Sequence, residues 1–303
     1  MGSSAEFRLR TDIDLKQWDT FIETYSDLPY ALSWYLDSTA SNNWGALIAE
    51  DHKWVLPLPF HTKFGISYVY QPFFTQQLGL FASTGIVEME RALAAIPKKF
   101  RLVDIYCNYT NAVVERNQLA ARTNLVLPLN KSYSELRSAF TENLKRNIKK
   151  ATKAGLIFLE TGDYKSAVDF FKLHVSNRIE NLPDKAFIKL AILCNALQER
   201  KKLRSYRVVS PKGTVLASAI FIEHHNRLIN ILPSSNEEGR ANGAMAFLLD
   251  SIIKNNADSD TILDFEGSMI PGVAQFYQSF GALNQPYWHL KINRLPWPLK
   301  YFK

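Results

Sequence analysis

The same succession of elements is legible twice along this 303-residue chain, and that repetition limits the fold more than any single motif does. In the first half, EFRLRT (6–11) has strand character. A helix over DLKQWDTFIETY follows, with Leu15, Trp18, Phe21 and Ile22 at helical spacing and Asp14 as N-cap. SWYLDSTAS predicts a second short helix, and WGALIAED, KWVLPLPF, ISYVYQPF and QQLGLFA predict an antiparallel meander. A helix ending before Pro97, the strand RLVDIYCNY and the strand RTNLVLPL then close a unit near residue 130. The second half runs through the strand LIFLETG, two amphipathic helices (164–178 and 184–200) and the strands LRSYRVVSP, TVLASAIFIEHH and LINILP. It ends with the helix AMAFLLDSIIKNN and the strands TILDFEGS and WHLKINRL. No residue-level repeat accompanies this, so the architecture alone is duplicated. The expectation is an α/β (α+β) chain of two domains, 1–130 and 131–303, each a mixed, mostly antiparallel sheet flanked by helices.

One helix is specified at both ends. Over 132–155, Ser132 followed by Glu135 forms a capping box, Leu136, Phe140, Leu144, Ile148 and Ala151 make one apolar stripe, and Gly155 suits a C-cap. Its other flank is cationic: Lys145, Lys149 and Lys153 recur every fourth residue with Arg146 and Lys150 beside them, and only Glu142 is near to compensate. Such a flank reads as a solvated face or as an anion patch suited to a polyphosphate, an RNA end or an anionic lipid head group. The formal net charge of +7 agrees with an anionic partner.

A hydrophobic fraction of 47% with 21% charged residues is enough apolar material for two cores. The uncharged run from Phe64 to Val87 is long enough to cross a bilayer, yet Gln71, Pro72, Thr75, Gln76 and Gln77 interrupt it, so it reads as β structure. The N-terminus has no apolar segment of the secretory type. Cys107 and Cys194 sit among apolar residues and read as buried free thiols, so the expected location is cytoplasmic, with peripheral association at an anionic membrane open. The six histidines are scattered; only His224 and His225 are adjacent, and neighbouring strand residues face opposite ways, so no metal site is expected.

Two stretches could carry chemistry. TILDFEGS is a buried strand that delivers Asp264, Glu266, Gly267 and Ser268 to its C-terminal end, followed by a helix with Phe276, Tyr277 and Phe280. Carboxylates there could orient or deprotonate an amine, and the tyrosine could protonate a leaving group, or the aromatics could simply pack the core. The segment 234–244, between LINILP and its helix, is rich in small residues and leads to a helix N-terminus. It can serve as a phosphate cradle or as a plain capping loop.

That segment resembles the acyl-CoA-binding pattern of the GNAT acyltransferase superfamily, Arg or Gln, two residues, Gly, one residue, Gly or Ala. Arg240, Asn242, Gly243 and Ala244 fit until Met245; a shifted register uses Asn236, Gly239 and Ala241. Tyr277 and Gly281 fit the superfamily's Tyr-x-x-x-Gly pattern. Together with SELRSAFTENLKRNIKKATKAGL and the duplicated plan, LDFEGSMIPGVAQFYQSFGA resembles the FemAB-like branch, which comprises peptidoglycan-bridge aminoacyltransferases and their acyltransferase relatives. The resemblance implies tandem GNAT-like domains and an N-acyltransferase. Its donor would be aminoacyl-tRNA or acyl-CoA, the latter as a co-substrate and not a permanently bound cofactor. Its acceptor would be an amine on a cell-wall precursor or small metabolite, with no role for DNA. It implies Glu266, Tyr277 and Asp264 as catalytic groups and Arg240, Asn242, Gly243, Ala244, Lys145, Arg146, Lys149 and Lys150 as the donor side. Ser268, Phe276 and Phe280 would lie on the acceptor side, and backbone amides near Leu232 and Pro233 would serve as oxyanion donors. A noncatalytic binding module for an anionic ligand is the alternative, and no sustained heptads occur between 150 and 200 to form a coiled-coil arm.

Overall fold

The computed structural model describes residues 5–50, 52–83, 89–111, 119–175, 182–267, 269–297 and 300. The strands of the first half are β1 (Ala5–Leu9), β2 (Trp44–Ala49), β3 (Trp54–Lys63), β4 (Ile66–Tyr70), β5 (Phe81–Ala82), β6 (Phe100–Cys107) and β7 (Leu119–Arg122). Its helices are α1 (Leu15–Tyr25), α2 (Ser33–Ala40) and α3 (Met89–Ala94). The next elements are β8 (Leu125–Pro128), α4 (Tyr133–Ser138), α5 (Glu142–Lys153), β9 (Ile157–Thr161), α6 (Tyr164–His174), α7 (Asp184–Glu199), β10 (Leu203–Val209), β11 (Val215–His224), β12 (Arg227–Asn230) and β13 (Ser234–Ser235). The last are α8 (Glu237–Ala241), α9 (Ala244–Asn256), β14 (Ile262–Asp264), α10 (Pro271–Gln278), β15 (Leu283–Asn284) and β16 (Tyr287–Asn293).

These elements build two mixed sheets. One runs β1-β2-β3-β4-β6-β16-β7 with β5 on β3, and the other runs β15-β8-β14-β12-β11-β10-β9 with β13 on β11. Each sheet is antiparallel apart from one parallel strand pair, β4 with β6 and β12 with β14. A parallel neighbour needs a crossover, and a helix supplies it in both cases: α3 before β6 and α9 before β14. The repetition expected from the order of elements is therefore present in the sheets.

The chain divides into two units, Met1–Arg122 with Pro286–Lys303, and Thr123–Gln285. This departs from the expected boundary near residue 130 in two ways. RTNLVLPL is two strands in different sheets, because β7 pairs with β16 whereas Leu125–Pro128 pairs with β14. WHLKINRL returns to the first unit, where β16 lies between β6 and β7. Strand propensity shows that a segment extends but not which partner it chooses.

The long helix expected over 132–155 is also divided. The Ser132–Glu135 capping box forms as expected, but Thr141 starts a new helix by accepting from the Leu144 amide at 3.4 Å while its own amide donates to the Ser279 carbonyl at 2.9 Å. The apolar stripe survives the break, since Leu136, Phe140, Leu144, Ile148 and Ala151 are all buried with Leu248, Leu249 and Leu263 in the core of the second unit. In the first unit, Leu56, Leu58, Val69, Val103, Ile105 and Leu290 form the corresponding core. The interrupting polar residues of the 64–87 run are used inside the protein. Gln71 donates to the Thr75 carbonyl at 2.7 Å and Gln77 accepts from the Tyr109 amide at 2.9 Å. No helix among the described residues is long and apolar enough to cross a membrane.

Candidate functional site

Within the second unit, β12 and β14 run side by side for three residues, from Arg227 opposite Ile262 to Ile229 opposite Asp264. Beyond that they part. Asn230 still pairs with Phe221 of β11, and the amides of Ile231 and Leu232 both converge on the Ile220 carbonyl, at 3.0 and 3.3 Å, which makes an irregular step in the ladder. The chain then rejoins β11 as β13, whereas the other arm stays with β8 through a bond from the Phe265 amide to the Leu125 carbonyl at 3.0 Å. The result is a fork at the C-terminal end of a parallel pair, where a substrate can enter between strands. Because the Asn236 amide bonds the Leu216 carbonyl, the backbone groups of Ser235, one residue earlier, turn away from β11. The Ser235 carbonyl there accepts from the Arg240 guanidinium at 2.6 Å.

At the base of the fork lies Asn230. It is 1% exposed, and neither polar atom of its side chain has a hydrogen-bond partner among the described residues. An amide buried in that way costs about 1–3 kcal/mol unless something bonds it. An asparagine inside the otherwise apolar strand LINILP was the available sequence signal for this residue.

The β12 arm leads to α8 and α9. Asn236 caps α8 by accepting from the Gly239 amide at 2.7 Å. Gly243 is the N-cap of α9 with φ +71°, and a Cβ there would lie 2.7 Å from the Asn147 carbonyl of α5. Lys150 of the same helix donates to the Ala241 carbonyl at 2.7 Å. The cationic helix and the small-residue segment are thus in contact: α5 packs directly on the α8–α9 junction. The helix repeat puts Arg146 one turn from Lys150 on that side.

No protein-family description matches the sequence, and none of the curated proteins does. Solved structures do. FemX superposes with a TM-score of 0.65 at 14% identity, covering 98% of this chain and 99% of its own. A tandem GNAT protein from the clavulanic acid biosynthesis pathway gives 0.54 at 11% identity, with 97% and 99% covered. The chain has the FemAB-like tandem GNAT fold. L-PGS from Bacillus licheniformis shares this fold at a TM-score of 0.53 and 12% identity, with 95% of each chain covered.

On the β14 arm of this GNAT fold the expected residues separate. Asp264 is fully buried: its Oδ2 receives Arg227 Nη1 at 2.6 Å and Asn124 at 3.4 Å, and its Oδ1 receives the Glu266 amide at 2.9 Å. Burial works to raise its pKa, and the Arg227 guanidinium works against that. With both oxygens accepting from donors inside the protein and no exposed surface, Asp264 holds the turn. Glu266 follows it in a left-handed conformation, φ +52°, half-buried. Gly267 is required by space, since a Cβ would lie 1.6 Å from the Thr123 carbonyl.

Tyr277 is buried and stacks on Phe265 with ring centroids 4.7 Å apart at 19°. Burial pushes its phenol far above the ordinary value and the charge of Glu266 adds to the rise, so the hydroxyl keeps its proton. Phe280, expected on the acceptor side, is completely buried among Phe140, Phe265 and Phe276, and no ligand can reach it. Phe276 is half-buried at the edge of that core. Ser268 lies outside the described residues.

The expected oxyanion donors are also displaced. The Leu232 amide is directed at Ile220, and Pro233 has no N–H to give. On the donor side, Lys145 pairs with Glu142 at 3.0 Å, and Arg240 and Lys150 bond backbone carbonyls. Arg146 and Lys149 are exposed on α5, Asn242 is half-buried, and Ala244 opens α9.

Proposed function

We propose that the chain is an acyltransferase, moving an acyl or aminoacyl group from a phosphate-bearing donor to an amine. The observation that carries this reading is the meeting of α5 with the N-terminus of α9 at the mouth of the β12–β14 fork. Phosphates of a donor entering the fork would lie against the helix-end amides of α9 and the Arg146 and Lys150 cations on the flank of α5 that meets it, with Lys149 exposed further round the same helix. The acyl carbonyl would occupy the fork itself, near the Asn230 amide. A neutral amine attacks that carbon, Glu266 orients it and accepts its proton, and the Tyr277 hydroxyl donates to the departing thiolate or alkoxide. Ser268 and Phe276 would border the acceptor.

Both acyl-CoA and aminoacyl-tRNA fit such a donor site, and the acceptor class includes cell-wall precursors. Binding of each donor, followed by calorimetry over a range of salt concentrations, decides between them, because a tRNA contact weakens steeply with salt. Arg146→Ala with Lys149→Ala is expected to weaken the donor about tenfold, and Glu266→Gln to abolish transfer while donor binding persists. Absence of binding by both donors would overturn the reading. The structure also keeps a noncatalytic reading in play, since Arg240 and Lys150 are engaged by backbone carbonyls; that reading requires Glu266→Gln and Tyr277→Phe to change nothing measurable.

A further inference from the structure

We infer that the second unit holds another ligand site, for a small organic ammonium ion, at the end of its sheet where β11 turns into β12. It is separate from the fork and does not depend on the acyl-transfer reading. A cavity of about 300 Å³ lies there, at the lower bound of small-molecule pockets. Arg227 and Leu228, at the start of β12, line it, whereas the fork begins after Ile229. The three steps from Arg227 to Asn230 span roughly 10 Å of strand.

Its floor is aromatic. Phe158 of β9 and Tyr206 of β10 stack with ring centroids 5.4 Å apart at 20°, and Leu228 and Ile252 complete the apolar surface. The rim is charged, and the charges do not cancel. Arg204 serves two carboxylates at once, Glu223 at 2.6 Å and Glu160 at 3.6 Å. Arg227 also borders the cavity, but its side chain is wholly buried against Asp264 and leaves no net charge there. His225 and the Tyr206 phenol are the remaining titratable groups of the lining.

One negative charge is therefore in excess. The last turn of α9, through Asn255 and Asn256, adds the negative end of a helix dipole. The Tyr206 phenol registers this field: burial is the main cause of its rise to about 12, and Glu160 and Glu223 push it further against the opposing effect of Arg204. An aromatic plate beneath a carboxylate rim favours a cation whose hydrocarbon part lies on the rings and whose ammonium group meets Glu160 and Glu223. An anion of the same shape would meet repulsion from the same rim.

Benzylamine, benzyl alcohol and benzoate share one ring and differ in charge, and titrating each into the full chain while following the amide signals of Phe158 and Tyr206 by NMR tests the site. Benzylamine is expected to bind at least tenfold more tightly than benzoate. Glu160→Gln with Glu223→Gln should lower benzylamine affinity at least tenfold and turn the preference towards benzoate, because Arg204 is then uncompensated. Asn255→Trp, at an exposed rim position outside the core, should block benzylamine with no change in melting temperature. Equal affinity for the three probes, no saturable shift with benzylamine, shifts confined to other regions, or a preference untouched by the double variant would each overturn the inference.

Discussion

Arg227 and Asp264 have no exposed side-chain surface, so their pairing is an all-or-nothing feature of the second sheet. Removing one partner from a buried pair leaves the other charged and unsolvated. Arg227→Met is therefore expected to cost about 3–5 kcal/mol in denaturant unfolding, and adding Asp264→Leu to it should restore much of that loss. A second buried residue, His224, makes stability depend on pH. Its Nδ1 lies 3.3 Å from the Lys202 ammonium, which can only donate, so Nδ1 accepts and the proton sits on Nε2, which has no partner among the described residues. Burial, reinforced by Lys202 and His225, lowers its pKa to about 3. Between the ordinary histidine value of about 6.5 and that lowered value, the unfolded chain binds a proton that the folded chain refuses. Stability should thus be level above that window and fall with decreasing pH inside it, by up to about 1.4 kcal/mol per pH unit. Urea midpoints measured from pH 7.5 to 4 check the slope, and in His224→Gln the slope should flatten.

Among the elements, the α8–α9 junction depends on a single residue type. Gly243→Ala puts a side chain at positive φ and against the Asn147 carbonyl, so a loss of about 1–3 kcal/mol is expected in thermal unfolding, with the proposed donor site disturbed as well. Most helices and strands of this chain were legible because their periodicity and caps are local: Asp14, Ser132 and the 184–199 helix all form where the pattern places them. The break at Thr141 was not legible, because Ser279, more than a hundred residues away, takes the amide that a continuous helix would use. The same distinction governs the site. The cationic flank of α5 and the 240–244 segment could each be found in the sequence, but their contact could not, since it arises from packing of α5 on α9. Asp264 and Phe280 were expected to face a ligand because the resemblance of LDFEGSMIPGVAQFYQSFGA to the FemAB-like branch implies roles for them there, whereas their own side chains turn inward to Arg227 and to Phe140.

At the scale of the whole molecule, the two sheets make unequal demands on the chain. Every strand of the second sheet lies within Thr123–Gln285, so a fragment of those residues is expected to fold alone, with a cooperative melt and dispersed amide signals. A fragment ending at Arg122 lacks β16, and with it the strand that joins β7 to β6. It should remain incompletely folded, and adding a peptide of residues 286–303 should restore structure; a cooperative melt without the peptide would show that β16 is dispensable.

The position of β16 also sets an order in time. During synthesis the strands of the second unit all leave the ribosome before residue 287 does, although most of the first unit has already emerged. Synthesis proceeds at about 5–20 residues per second, so the edge of β6 waits unpaired for roughly ten to forty seconds while the whole second unit is made. The unit that begins first is completed last, and in that interval β6 is the strand on which a chaperone, or a neighbouring nascent chain, can pair.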